Sequence, residues 1–76
     1  MSNTKIVGRT KLTRYRDGWS ADHPFGAEAY FYQIKSKAED GKVTEPWVWS
    51  YNGADSMTFD ELEDCVDNWR ETAGLF

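Results

Sequence analysis

The sequence predicts an α+β fold: a three-stranded antiparallel sheet with one C-terminal helix packed across it, in the order β-β-β-α. Three observations predict it. Residues 5–16 alternate loosely between apolar and basic positions, residues 28–51 hold two β-rich runs around Asp40-Gly41, and residues 58–74 repeat apolar positions every three or four residues. Strands followed by a single amphipathic helix have one simple two-layer solution, the helix laid on the sheet. The 76 residues read as a single domain, 1–76.

The first element is "KIVGRTKLTRYR", residues 5–16. Ile6, Thr10 and Leu12 fall on one side, and Arg9, Lys11 and Thr13 on the other. This is the pattern of a half-buried strand with a basic outer side, weakened or bulged at Gly8. Residues 17–27, "DGWSADHPFGA", carry the turn signals Asp-Gly and His-Pro and read as a loop, with Trp19 and Phe25 anchoring it to the body.

Residues 28–51 read as a hairpin. With Asp40-Gly41 as a two-residue turn, paired residue numbers sum to 81. Tyr30 then faces Tyr51, Tyr32 faces Trp49 and Ile34 faces Trp47, which puts six large side chains on one face as a floor for the helix. Pro46 cannot donate to a ladder and is expected at a bulge or with its nitrogen outward. Asn52-Gly53 ends the strand.

The helix is expected over residues 58–74, with Thr58 as N-cap and Glu61 completing a capping box. Phe59, Leu62, Val66, Trp69 and Ala73 form its apolar stripe, and Gly74 stops it. Leu75 and Phe76 are placed to fold back over the last turn.

Charge is unevenly distributed. The chain carries a net −4, yet residues 1–16 carry +5 and residues 17–76 carry −9. The predicted helix holds six acids and one base. Asp60, Glu63, Asp64, Asp67 and Glu71 lie opposite the apolar stripe, and Asp60/Asp64, Glu63/Asp67 and Asp67/Glu71 are like-charge pairs four residues apart. Each such pair costs a few tenths of a kcal/mol. Acids in the first turn gain from the helix dipole, but Asp67 and Glu71 lie too late to do so.

A pattern that opposes helix stability points to a role outside it. Carboxylates spaced along a rigid rod imitate nucleic-acid phosphates and suit a basic groove on a partner, with steering that weakens in salt. A solvated face, or neutralisation by the chain's own basic strand, are the plainer readings. The alternative function is a small nucleic-acid-binding module that uses Arg9, Lys11, Arg14 and Arg16 on the sheet.

Catalytic chemistry is thin. His23 is the one histidine and Cys65 the one cysteine. A zinc site needs three or four such ligands at short spacing, and no P-loop or dinucleotide fingerprint is present. No cofactor, no metal and no enzyme activity are expected. A single cysteine allows no internal disulfide, the N-terminus has no apolar signal core, and no run approaches the roughly 18 residues of a membrane span. A cytoplasmic protein with no membrane partner is the expectation.

The strand–strand–strand–helix plan, with "MTFDELEDCVDNW" entering the helix, resembles two groups. One is the arm-binding domain of phage integrases, over about residues 28–72; there a three-stranded sheet enters the DNA major groove. This sequence departs from it, since residues 28–51 carry three Lys and no Arg. The other is the small acidic inhibitor proteins of bacteriophages, of anti-CRISPR, anti-restriction or host-polymerase type, which it resembles in size, charge and plan. That resemblance implies a non-enzymatic inhibitor or adaptor, encoded by a phage or mobile element. Its partner would be a host protein complex with a basic surface, and nucleic acid would be the partner in the alternative.

Overall fold

The structure is a computed structural model and describes residues 3–75. The fold is α+β with one helix, and the sheet is antiparallel, but it has six strands rather than three, in the order β1-β2-β3-β4-β7-β8.

Gly8 divides the first predicted strand. It adopts a φ of 61°, which a two-residue hairpin loop needs and which Gly takes at no steric cost. The chain therefore turns at Gly8-Arg9, and β1 (Thr4–Val7) pairs with β2 (Thr10–Tyr15), Val7 opposite Thr10. A second tight turn at Arg16-Asp17 leads into β3 (Gly18–Asp22), inside the segment expected as a loop. β3 is a central strand whose buried positions, Gly18, Ser20 and Ala21, are all small. Gly18 is required there: a Cβ would overlap the Phe31 carbonyl oxygen on the neighbouring strand. Trp19 packs partly on the core as expected, whereas Phe25 stands 77% exposed in the loop after β3.

β4 (Glu28–Gln33) pairs with β3 on one side and β7 (Trp47–Tyr51) on the other. Between them, β5 (Ser36–Lys37) and β6 (Val43–Thr44) form a separate small ladder. The turn is at Asp40-Gly41, but the loop has three residues. The Ala38 N–H donates to the Lys42 carbonyl (2.9 Å), and Gly41 takes a φ of 86°. Each pair of residues on β4 and β7 therefore sums to 80. Tyr30 faces Ser50, Phe31 faces Trp49 and Gln33 faces Trp47. One residue of slip inverts a strand's faces, so the expected six-member aromatic face does not exist. Trp47, Trp49 and Tyr51 share a face with Ala29 and Phe31, and Tyr30 and Tyr32 lie on the other with Val48 and Ser50. Pro46 is buried just before β7, outside the paired strands.

Asn52-Gly53, with φ of 52° and 80°, turns the chain into one further short strand, β8 (Ala54–Asp55). The ladder then bulges. The Trp49 N–H donates to Ser56 Oγ (2.9 Å), and pairing resumes at Phe59, whose N–H and carbonyl both bond Trp47 (2.8 and 2.7 Å). Thr58 thus lies in the irregular stretch just before the Phe59 bridge and is no helix cap. The helix α1 runs Leu62–Ala73. Its N-cap is Glu61, in extended conformation and without a side-chain cap hydrogen bond. It stops at Gly74 (φ 79°), where the Leu75 N–H reaches back to the Arg70 carbonyl (2.7 Å).

α1 lies on the face formed by Val7, Leu12, Ala21, Ala29 and Phe31. It buries Leu62, Cys65, Val66, Trp69 and Ala73 against them. Trp47, Trp49, Phe59 and Leu75 close the margins; Phe76 lies outside the described residues. Among the described residues no helix is long and apolar enough to cross a membrane. Among the described residues no helix lies on the opposite face, although Ser20 and Val48 on it are buried.

Candidate functional site

Every acid of the predicted docking face is exposed. Glu63, Asp64, Asp67 and Glu71 lie on α1, with Glu63 and Asp64 in the first turn. Asp60 does not lie on the helix: it sits in the connection between Phe59 and α1, so Asp60/Asp64 is no helical pair. Glu63/Asp67 and Asp67/Glu71 remain pairs one turn apart.

The chain's own basic strand approaches this face without neutralising it. Arg9 shares an open groove of about 380 Å³ with Asp67, Arg70 and Glu71. Lys5 shares another, of about 330 Å³, with Glu61 and Glu63. Yet Arg70 gives its guanidinium to the Thr10 hydroxyl (2.9 Å), and among the described residues none of the four helical carboxylates forms an ion pair. The four carboxylates are left exposed to solvent.

The four bases of the alternative reading are dispersed. Arg9 occupies the β1–β2 turn. Lys11 projects from the uncovered face of β2, and Arg14 from the helix-bearing face, because adjacent strand positions alternate only at odd spacing. Arg16 lies in the next turn, at the other end of β2, with its guanidinium 5.4 Å from the Tyr15 ring. What the fold does gather is a different set. Arg14 and Lys5 both stand over the indole of Trp19, at 5.0 and 5.8 Å from its centroid. The sequence marks Trp19 only as a loop anchor; its meeting with Lys5 and Arg14 depends on a register across β1 and β2, both inside one predicted strand, and β3, inside a predicted loop.

The uncovered face holds an open groove of about 380 Å³ between the β2–β3 turn and β4. Tyr15 and Tyr30 line it, their rings 4.6 Å apart and tilted by 34°. Tyr32 donates its hydroxyl to Asp55 Oδ1 (2.7 Å), a bond that, with burial, pushes the phenol up to about 12. Tyr30 is also raised, by burial and then by the Glu28 carboxylate.

Compared with family models, with curated proteins and with solved structures, the chain matches none.

The two residues with catalytic potential are occupied structurally. His23 stacks on Tyr51 (centroids 3.8 Å, 19°), and its Nδ1 accepts the Phe25 N–H (3.2 Å), which shapes the loop between β3 and β4. Cys65 is fully buried, and burial pushes its thiol up to about 12, away from the reactive thiolate. Among the described residues no group of three His, Cys, Asp or Glu could hold a metal ion.

Proposed function

We propose that this chain is a non-enzymatic binding protein, an inhibitor or adaptor, that docks the acidic face of α1 on a basic surface of a partner protein. The carrying observation is that Glu63, Asp64, Asp67 and Glu71 are exposed and unpaired even though Lys5, Arg9 and Arg70 lie close by. The apolar side of the same helix is sealed in the core, so the charged rod is rigid and its carboxylates are spaced at one turn, about 5.4 Å. A lysine- and arginine-lined groove that binds nucleic-acid phosphates suits this spacing. The setting that fits is a short inhibitor of phage or mobile-element origin acting on a host nucleic-acid-binding complex in the cytoplasm.

Capture of the partner from bacterial lysate, followed by affinity measured against ionic strength, tests the reading. Binding should weaken as salt rises and be lost in the Asp64→Lys, Asp67→Lys double variant. Affinity indifferent to both would overturn it.

A second reading has one specific observation in its favour. Lys5 and Arg14 converge on Trp19, a cation pair on an aromatic platform, which is a composition used for single-stranded nucleic acid. Retardation of a labelled oligonucleotide in low salt, abolished in the Lys5→Ala, Arg14→Ala variant, would favour it; no retardation at micromolar protein removes it.

A further inference from the structure

The groove on the uncovered sheet face is electrostatically unlike the basic strand beside it. Its floor is the backbone of Gly18 and Phe31, which approach closely because Gly18 has no side chain. Its walls are the rings of Tyr15, Tyr30 and Tyr32, and Ser50 and Gln33 complete the lining. The only base at its rim is Arg16. Against it stand Asp17 at the rim and Asp55, which lies outside the lining and bonds the Tyr32 hydroxyl; Glu28, which raises the Tyr30 phenol, lines a neighbouring cleft with Lys11. Two of the three phenols thus face a carboxylate, which pushes electron density into their rings, and the net charge around the groove is negative.

We propose that this groove accepts the guanidinium side chain of an arginine presented by a basic segment of a partner protein. Ring faces carry the negative lobe of the aromatic quadrupole and attract cations, and arginine does this most often because its planar group also stacks. The molecule already displays the interaction in miniature: the Arg16 guanidinium lies 5.4 Å from the centroid of Tyr15. Among the described residues no cation stands over the ring of Tyr30, which packs on Tyr15, or over that of Tyr32. The donors of an incoming guanidinium meet acceptors, since the Ser50 hydroxyl lines the groove and Gln33 uses its Nε2 on the Glu45 carbonyl (2.9 Å), leaving Oε1 to accept. A phosphate-bearing ligand is disfavoured by Asp17, Glu28 and Asp55. This site does not depend on the helix reading; it gives the same kind of partner, a basic protein, a second and chemically distinct foothold.

The test uses acetyl-Gly-Arg-Gly-amide as probe, titrated into the isotope-labelled protein while amide shifts are followed by NMR. The expected result is a saturable shift of Gly18, Tyr30 and Ser50 that the citrulline peptide, equal in shape but uncharged, does not produce. Tyr30→Leu should weaken binding about fivefold, the size of one exposed cation–π contact, and Tyr32→Phe, which keeps the ring but loses Asp55, by less. The Asp64→Lys, Asp67→Lys variant should bind the probe unchanged, so this site and the helix face fail or succeed separately. Equal shifts with citrulline, equal binding of the lysine peptide, or shifts unaffected by Tyr30→Leu in a protein with an intact melt would each overturn the proposal.

Discussion

The ring of Phe31 stands edge-on to the indole of Trp69, with centroids 5.5 Å apart and planes at 88°. Both side chains are fully buried, and they join the central strand β4 to α1. Phe31→Ala or Trp69→Ala should each cost about 3–5 kcal/mol, a large share of the roughly 4–11 kcal/mol expected of a domain this size. Denaturant titration should show either protein largely unfolded. Trp49 is half-buried and bonds Asn68 Oδ1 through its Nε1 (3.0 Å), so Trp49→Ala should cost less, about 1–3 kcal/mol. Trp69→Phe should be milder than Trp69→Ala, because the buried Trp69 Nε1 has no hydrogen-bond partner among the described residues and its removal forfeits none.

Gly18 and Gly8 should respond in opposite ways to the same methyl group. At Gly18 a Cβ overlaps backbone of a central strand, which cannot move aside, so Gly18→Ala should abolish the cooperative thermal transition. At Gly8 a Cβ meets open space and only the left-handed φ is unfavourable, so Gly8→Ala should cost about 1–2 kcal/mol. Two melts side by side decide this, and similar values would contradict the close approach of β3 to β4.

Asp67→Lys should stabilise the protein. It converts two repulsions, with Glu63 and Glu71, into i,i+4 attractions, a gain of about 0.5–1 kcal/mol against a weaker attraction lost to Arg9. The melting temperature should rise by a few degrees while partner binding falls. A residue whose removal strengthens the fold and weakens binding is retained for binding.

Stability should fall under alkali. The Cys65 thiol and the Tyr32 phenol both hold their protons more tightly folded than unfolded, each raised to about 12, from 9.0 and 10.0 respectively. Above those lower values the unfolded chain releases protons that the folded one keeps, so the stabilisation is complete below about pH 9 and fades towards pH 12. Cys65→Ala should flatten the early part of the decline and Tyr32→Phe the later part, followed as urea midpoints between pH 8 and 12.

The features legible in the sequence were those set by a residue's near neighbours. The turns at Asp40-Gly41 and Asn52-Gly53, the apolar stripe Leu62–Val66–Trp69–Ala73 and the stop at Gly74 each rest on local chemistry, and together they suffice for an α+β antiparallel fold. The division of residues 5–16 at Gly8 was masked because a glycine in an alternating run reads equally as a bulge. β3 was hidden because Gly18, Ser20 and Ala21 are small to fit under tight neighbours, not because they favour a loop. The β4–β7 register failed by one residue because Gly41 in a left-handed conformation closes a three-residue loop. The exposure of Glu63, Asp64, Asp67 and Glu71 follows from helical spacing, whereas Asp60 precedes α1 and reads as helical only because Thr58 reads as its cap. The Lys5–Arg14–Trp19 set and the tyrosine groove were not, since both are made by side chains meeting across strands.

Every strand of the main sheet, apart from the small β5–β6 excursion, pairs with the strand that precedes it in the chain. Such a sheet can assemble hairpin by hairpin as the polypeptide leaves the ribosome, with little loop entropy to overcome at any step. The side that carries Leu12 and Phe31 stays bare until α1 emerges, because its cover comes last in sequence. Any sheet formed before α1 is available would present that apolar side without a lid. The carboxylates of α1 then arrive together with the apolar stripe that closes it, making the finished molecule repel its own copies at the moment it becomes compact.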